Sequence, residues 1–360
     1  MFLTYIMKLI EFSKKNENDF IYLDEERYFN IADLKELKEI SLLYTTNTQN
    51  DRHKFEQISY LYDSKSILFT FREDNLHFLK ILPFYSLINN IYIFDTIFSF
   101  YTSGIILKYT VSTNRNQVAI YFTVVDSYYD RINGKTIVGL KDRHKYFLNV
   151  YDVTRGNLKL LLNKRYPNSI NIGLSEKDTI AISSYINETR LNPYDVANLF
   201  EIYNLTTGKR VFKKVVDYSI EHIKYFPNSE FYDNKLLIIA KDNDGEDTMR
   251  IIDLNGAFTQ VYIKYISSYY VICIDITWNG AIALGTEMGL LYFNSFDQEP
   301  RILYQDIIIV NVSFSISGNN VALTYFDEKG DDNAVDKYGI LIFSLTYNSE
   351  LFNLEIMDIL

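Results

Sequence analysis

The feature that most constrains the fold of this chain is a four-strand unit that recurs along its 360 residues. In the middle of the chain, segment 108–122 leads to 145–162, and segment 171–185 leads to 198–215. Both copies begin with an apolar strand, a polar turn, a second strand and a variable hairpin. A third strand then ends in an aromatic residue, Asp or Asn, and an aliphatic residue, before a Gly turn and a last strand. Such self-similarity predicts a repeat architecture.

The same unit can be traced five more times, which gives seven units of four short strands. The 31 Tyr and 25 Phe residues favour strands over helices. Only the segment 30–40 has a helix-like charge pattern, and it fits a turn followed by a strand equally well. The residues just before each first polar turn mark the units at intervals of 37 to 63 residues: Phe12, Leu61, Val111, Leu174, Phe226, Thr277 and Phe314.

One domain is predicted to hold all seven units, because each repeat adds to a continuous core. In the second unit, the last strand is predicted within the apolar stretch 88–94. Each unit is expected to use contiguous chain, although residues 2–6 could instead pair with the last unit. The approximate unit boundaries are 2–50, 51–100, 101–164, 165–217, 218–266, 267–305 and 306–360.

Four of the third strands end in a tripeptide that resembles the Trp-Asp signature of WD40 repeats, at 32–34, 151–153, 203–205 and 252–254. The resemblance implies an all-β fold, a seven-bladed β-propeller of four-stranded antiparallel blades with the first strands around the central axis. The chain departs from the family in two ways: its one tryptophan, Trp278, is not in such a dipeptide, and no Gly-His pair occurs. The Asp–His–Ser/Thr network of typical WD40 blades is therefore expected to be missing.

Charge and cysteine content restrict the compartment and the partners. A formal net charge of −10 opposes binding to a phosphate backbone, so no nucleic-acid partner is expected. The single cysteine, Cys273, lies in an apolar run and is predicted to be a buried, inert thiol. No apolar stretch is long enough to span a bilayer. The chain is predicted to be soluble and cytoplasmic, with a place in a virion as the alternative.

The connection between the second and third strands is long in three units, at 123–146, 186–199 and 327–338. Long excursions from a rigid scaffold often carry binding specificity. The first of them contains aromatic and arginine side chains of the kind that anchor protein interfaces. The alternative is an exposed β-ribbon whose tyrosines pack on their own blade. The predicted interaction residues are Tyr128, Tyr129, Arg131, Arg143 and His144.

Metal and catalytic motifs are sparse. Asp242, Asp244 and Asp247 form a weak calcium candidate, because hard cations prefer clustered carboxylates. Solvated turns in an acidic chain are the alternative. The four histidines show no zinc spacing, and neither a G-x-S-x-G elbow nor a Walker loop occurs. No cofactor and no catalytic residue are predicted.

Three functions agree with this pattern. The first is a non-catalytic scaffold whose loops bind protein partners, so that the chain is not an enzyme. The second is a structural or attachment component of a larger particle, because Ile, Tyr, Asn and Lys usage resembles that of AT-rich genomes, including viruses of hot-acid archaea. The third is a propeller hydrolase with its site in the central channel.

Overall fold

We describe the protein from a computed structural model. The descriptions below cover the residue ranges for which the structure gives a placement: 10–12, 19–23, 29–35, 39–45, 55–60, 66–73, 76–83, 98–112, 117–124, 127–130, 135–138, 145–153, 159–166, 170–186, 197–227, 234–242, 245–254, 259–266, 270–277, 279–315, 318–327, 337–344 and 352–355.

Within these ranges the chain forms four-stranded antiparallel sheets in chain order, here called sheets one to seven. Sheet one has β1 (Ile10–Phe12), β2 (Asp19–Leu23), β3 (Phe29–Lys35) and β4 (Glu39–Thr45). Sheet two has β5 (Phe55–Tyr60), β6 (Ser66–Glu73), β7 (Leu76–Pro83) and β8 (Phe98–Thr102). Sheet three has β9 (Ile106–Val111), β10 (Gln117–Val124), β13 (Lys145–Asp152) and β14 (Lys159–Tyr166). Between β10 and β13, a separate two-stranded ribbon is formed by β11 (Ser127–Asp130) and β12 (Lys135–Val138).

The remaining sheets repeat the same up-and-down order. Sheet four has β15 (Ile170–Leu174), β16 (Thr179–Tyr185), β17 (Asn198–Asn204) and β18 (Arg210–Val216). Sheet five has β19 (Ser219–Tyr225), β20 (Lys235–Lys241), β21 (Asp247–Asp253) and β22 (Thr259–Tyr265). Sheet six has β23 (Val271–Ile276), β24 (Ile282–Thr286), β25 (Gly289–Phe293) and β26 (Arg301–Leu303). Sheet seven has β27 (Ile308–Phe314), β28 (Asn320–Asp327), β29 (Lys337–Ser344) and β30 (Phe352–Glu355).

The all-β prediction is confirmed: residues 30–35 lie in β3 and residues 39–40 in β4, while residues 36–38 lie outside the described ranges. Each four-stranded sheet uses contiguous chain, as expected, whereas residues 2–6 lie outside the described ranges. The prediction for the last strand of the second unit was wrong. The fourth strand of sheet two is β8, which pairs with β7 from Ile81↔Phe98 to His77↔Thr102. No helix in the described part of the chain is long and apolar enough to cross a membrane.

Burial along the strands shows where the core lies. The middle strands β24 and β25 are buried at every position, because both of their faces are covered by neighbouring sheets. The fourth strand β18 is mostly exposed. Each apolar cluster joins two consecutive sheets, as in the packing of Tyr121 and Leu148 of sheet three against Ile180 and Ile182 of sheet four. The core is therefore a series of layers between adjacent sheets.

The first strands of consecutive sheets contact one another, in the pairs β1 with β5, β9 with β15, β15 with β19, β19 with β23 and β23 with β27. Sheets two and three meet through β8 and β10, and β27 also contacts β1. Close approach at these contacts requires small residues. A Cβ built on Gly285 would lie 2.4 Å from Sγ of Cys273 and 2.7 Å from Cγ2 of Ile309. Any larger residue at position 285 would therefore push sheets six and seven apart.

Candidate functional site

The predicted interaction loop contains the β11–β12 ribbon. Tyr128 and Tyr129 lie in β11, where they pair with Ile137 and Thr136 of β12. The ribbon forms its own sheet and is not hydrogen-bonded into sheet three. Arg131, Arg143 and His144 lie outside the described residues. The structure therefore places two of the five residues on one short hairpin, and their role in binding stays a prediction.

The weak calcium candidate lies at the turn between β20 and β21. The Asp242 carboxylate accepts a hydrogen bond from Nη2 of Arg250, whose guanidinium also stacks 3.9 Å from the centroid of the Tyr218 ring. Burial raises the pKa of Asp247, and Asp244 lies outside the described residues. Among the residues that the structure describes, no group of three His, Cys, Asp or Glu side chains is placed to hold a metal ion. Calcium binding by this loop stays a prediction.

A set of polar side chains that sequence reasoning missed joins the first strands of neighbouring sheets. Nδ2 of Asn171 donates a hydrogen bond to the Ile220 carbonyl at 2.6 Å. Nε2 of His222 lies 3.0 Å from the Val271 carbonyl, and Sγ of Cys273 lies 3.8 Å from the Ile309 carbonyl. We call Asn171, His222 and Cys273 the seam donors, because each crosses from one sheet to the next.

The seam donors occupy one structural position. The first strands of their sheets are followed by Ser175, Phe226 and Thr277, whose amides close the first turn of each unit. Each donor lies four residues before that turn residue, and each acceptor carbonyl lies six residues before the turn residue of the next sheet. In β19, β23 and β27 the acceptor immediately precedes a β-bulge, which bends the strand locally. Lys108, at the same position in β9, donates through Nζ to Oδ1 of Asn171.

A buried carboxylate, two residues after Cys273 in β23, also links three sheets. Asp275 of β23 pairs with Nζ of Lys224 in β19, and its Oδ2 accepts the backbone N–H of Phe314 in β27 at 2.7 Å. The Asp275 side chain is only 6% exposed, whereas the Lys224 side chain is 39% exposed, so the bond to the Phe314 N–H is the one shielded from bulk water. Because a buried charge is tolerated only when it is paired and hydrogen-bonded, this carboxylate stabilises the junction of sheets five, six and seven.

The electrostatics of the seam donors argue against catalysis by them. Burial, together with the nearby Lys108 ammonium, lowers the pKa of His222 to about 4. Burial also raises the pKa of the Cys273 thiol to about 12. At neutral pH the imidazole is neutral and donates from Nε2, while the thiol stays protonated and is a poor nucleophile. The prediction that Cys273 is buried is confirmed.

The low pKa of His222 predicts a loss of stability in mild acid. In the unfolded chain the imidazole has a pKa near 6.5, so between about pH 6.5 and 4 the unfolded state binds more protons. The free energy of unfolding should therefore fall by about 1–3 kcal/mol as the pH is lowered through this window. His222→Gln keeps a donor for the Val271 carbonyl and removes the titrating group. Chemical denaturation at pH 7 and pH 4.5 should show a smaller decrease for this variant, and equal decreases would contradict the assignment.

This chain is similar to known proteins in structure. No family model and no curated protein sequence matches the chain. A complex of KlAtg21 with the coiled coil of AgAtg16 matches with a TM-score of 0.59 and 12% identity, covering 95% of both chains. The C-terminal WD40 domain of Sif2 matches with a TM-score of 0.53 and 10% identity, covering 94% of this chain and 96% of that chain. The Pyrococcus horikoshii acylaminoacyl peptidase matches with a TM-score of 0.57 and 13% identity, covering 93% of this chain and 49% of that chain.

At these identities the likeness is one of fold. It confirms the prediction of a WD40-like β-propeller built from four-stranded antiparallel sheets. Within sheets four to seven, neighbouring sheets are joined by the hydrogen bonds of the seam donors and of Asp275.

Proposed function

We propose that this chain is a non-catalytic interaction scaffold, in which the seven sheets are the seven blades of a closed propeller. The β11–β12 ribbon, inserted between the second and third strands of sheet three, binds a protein partner. Contacts between consecutive first strands, and between β27 and β1, support closure of the ring. In such a ring the long connections after β10, β16 and β28 emerge at the same end, because each of them joins the second strand of its sheet to the third.

The observation that carries the proposal is the insertion of the β11–β12 ribbon. Sheet three is complete without it, since β10 pairs directly with β13 over eight residues, from Gln117↔Asp152 to Val124↔Lys145. A two-stranded hairpin alone is only marginally stable in water. A segment that the sheet does not need, and that carries two adjacent tyrosines, fits a binding role better than a structural one.

The hydrogen bonds and pKa shifts of His222 and Cys273 support a scaffold function over an enzymatic one. Both side chains donate to backbone carbonyls of the next sheet, and their pKa shifts remove base strength from the imidazole and nucleophilicity from the thiol. The match to a peptidase keeps hydrolysis as the second candidate, although this chain covers only 49% of that chain. A hydrolase would turn over ester or peptide substrates without a partner present.

The test of the scaffold function removes the ribbon. Replacing residues 126–143 with a short Gly-Ser turn should leave the melting temperature within a few degrees, because β10 and β13 can still pair. Cross-linking through a photoreactive residue placed at Tyr128 should give one stoichiometric partner, which the shortened variant no longer binds. The matched control carries the photoreactive residue at Leu160, an exposed position of β14 in the same sheet. Equal binding by the shortened variant would overturn the role of the ribbon.

A further inference from the structure

A second surface, independent of the ribbon, lies on the outer strand of sheet four. In the described part of the chain, β18 pairs only with β17, so the N–H and C=O groups of its other edge face outward without a neighbouring strand. Such an edge can template the addition of another strand. We call this surface the basic edge, and it consists of Lys209, Arg210, Val211, Lys213, Lys214 and Val215.

The side chains of the basic edge alternate as a strand requires. Phe212 packs against the apolar cluster between sheets four and five, and Val216 is buried. Val211 and Val215 lie on the opposite face and are 53% and 51% exposed. Lys213 stands between them on that face, so aliphatic and cationic groups alternate toward solvent. Exposed valines on a strand are well placed to pack against an added strand.

The charge of this edge is opposite to that of the protein. Four exposed cations lie within residues 209–214, whereas the chain carries a formal net charge of −10. The carboxylate opposite Lys213 in the register is Glu201, but Glu201 is buried and accepts from Arg210 at 2.8 Å and from the Tyr203 hydroxyl at 2.9 Å. Lys213 and Lys214 therefore keep an uncompensated positive field at the edge.

The neighbouring sheet holds this edge in place. Lys164 of β14 lies 3.9 Å from the centroid of the Tyr203 ring, and the Tyr203 hydroxyl bonds the same Glu201 that anchors Arg210. The first residue of β18 is thus tied to sheet three through buried groups. An ordered edge loses little conformational entropy on binding, which favours recognition by strand addition.

We propose that the basic edge binds an extended acidic segment of a partner protein, which adds to β18 as a fifth strand. On one face of that segment, an acidic residue would meet Lys213 and the β-branched residues on either side of it would meet Val211 and Val215, while on the other face an acidic residue would meet Lys214. The same charges repel a second copy of β18, so the edge accepts an acidic strand while it resists self-association. Duplex nucleic acid would use the cations but gain nothing from the valines.

The experiment uses the full chain and a fluorescent nine-residue peptide with capped ends and the central sequence Val-Glu-Glu-Glu-Val, which places Val opposite Val211 and Val215 and Glu opposite Lys213 and Lys214 in either strand direction. Fluorescence anisotropy should show binding that weakens by at least about tenfold in the variant Lys213→Glu/Lys214→Glu, because facing charges become repulsive. The matched control Lys177→Glu/Arg301→Glu makes the same change in net charge at exposed sites outside β18 and should bind as the wild type does. Hydrogen exchange of the amides of residues 210–216 should slow when the peptide is bound.

Three results would overturn the proposal. The first is equal affinity of the acidic peptide for the wild type and for Lys213→Glu/Lys214→Glu. The second is equal affinity for a version of the peptide with a central proline, which cannot pair as a strand. The third is tighter binding of single-stranded RNA, or of vesicles with anionic lipids, through the same lysines. The variant Val211→Thr/Val215→Thr keeps strand-forming residues at these positions. It should weaken binding of the peptide but not binding of RNA or anionic vesicles, which separates strand addition from simple charge attraction.

Discussion

Replacing Phe314 with Asp is expected to abolish folding. Phe314 is 1% exposed and lies in the apolar cluster between sheets six and seven, with its ring 6.2 Å from that of Tyr292. The substitution removes a large buried side chain, at about 3–5 kcal/mol, and places an unpaired carboxylate in an apolar site at a cost of several more. Because most domains are stable by only about 5–15 kcal/mol, the folded population should collapse.

The measurement is circular dichroism during thermal unfolding, together with size-exclusion chromatography of the soluble fraction. Ile276→Asp, in the layer between sheets five and six, should behave like Phe314→Asp. Ile302→Asp is the matched control, because Ile302 lies on the outer strand β26 and is 40% exposed. Its stability should change by no more than about 0.5 kcal/mol. A soluble Phe314→Asp protein with an unchanged melting temperature would show that the layer between sheets six and seven is not a packed core.

Replacing Asp275 with Ala is expected to lower the free energy of unfolding by about 1–3 kcal/mol, the penalty of leaving a buried donor without its acceptor, because the Lys224 side chain is 39% exposed and is solvated when its partner is gone. The variant leaves the buried N–H of Phe314 without its acceptor and removes the counter-charge of Lys224. Asp275→Asn should cost less, because its side-chain oxygen can still accept from Phe314 while the attraction to the ammonium is lost.

Chemical denaturation of the single and double variants gives the coupling between the two side chains. Asp275→Asn should lower the free energy of unfolding less in the Lys224→Met variant than in the wild type, because the ion pair is already absent there. Glu299→Ala is the control, because Glu299 pairs with Lys264 but is 89% exposed, and such surface pairs contribute little. If Asp275→Ala were as mild as Glu299→Ala, the three-sheet junction would not depend on the carboxylate.

The strand order could be predicted because it is encoded locally. Each unit carries its own polar turn, so the ends of the first strands, such as Val111 and Leu174, follow from the sequence alone. Strand β8 could not be located in this way, because the stretch 88–94 and residues 98–102 are similarly apolar. The position of β8 follows from its contacts with sheet three, which the sequence does not show. Phe100 packs 4.7 Å from the ring of Phe122, and Thr102 donates to the carbonyl of Thr123 at 2.6 Å.

The seam donors escaped prediction for a similar reason. Asn171, His222 and Cys273 share no side-chain chemistry, and their common position becomes visible only when the turn residues of successive sheets are aligned. The ribbon could be anticipated because the connection is long, whereas Arg131, Arg143 and His144 lie outside the described ranges. The basic edge also escaped prediction, because recognising its exposed valines required knowledge of which strand of sheet four is outermost.

The acceptors at the seams have a consequence for how such a chain can diverge. Every seam donor bonds a main-chain carbonyl, a group that no substitution removes. An amide, an imidazole or a thiol can therefore replace one another at the donor position while the junction keeps a hydrogen bond of useful length. The junction therefore requires a short donor at that position rather than one particular residue. Repeats held together in this manner can lose all recognisable sequence similarity and still assemble side by side.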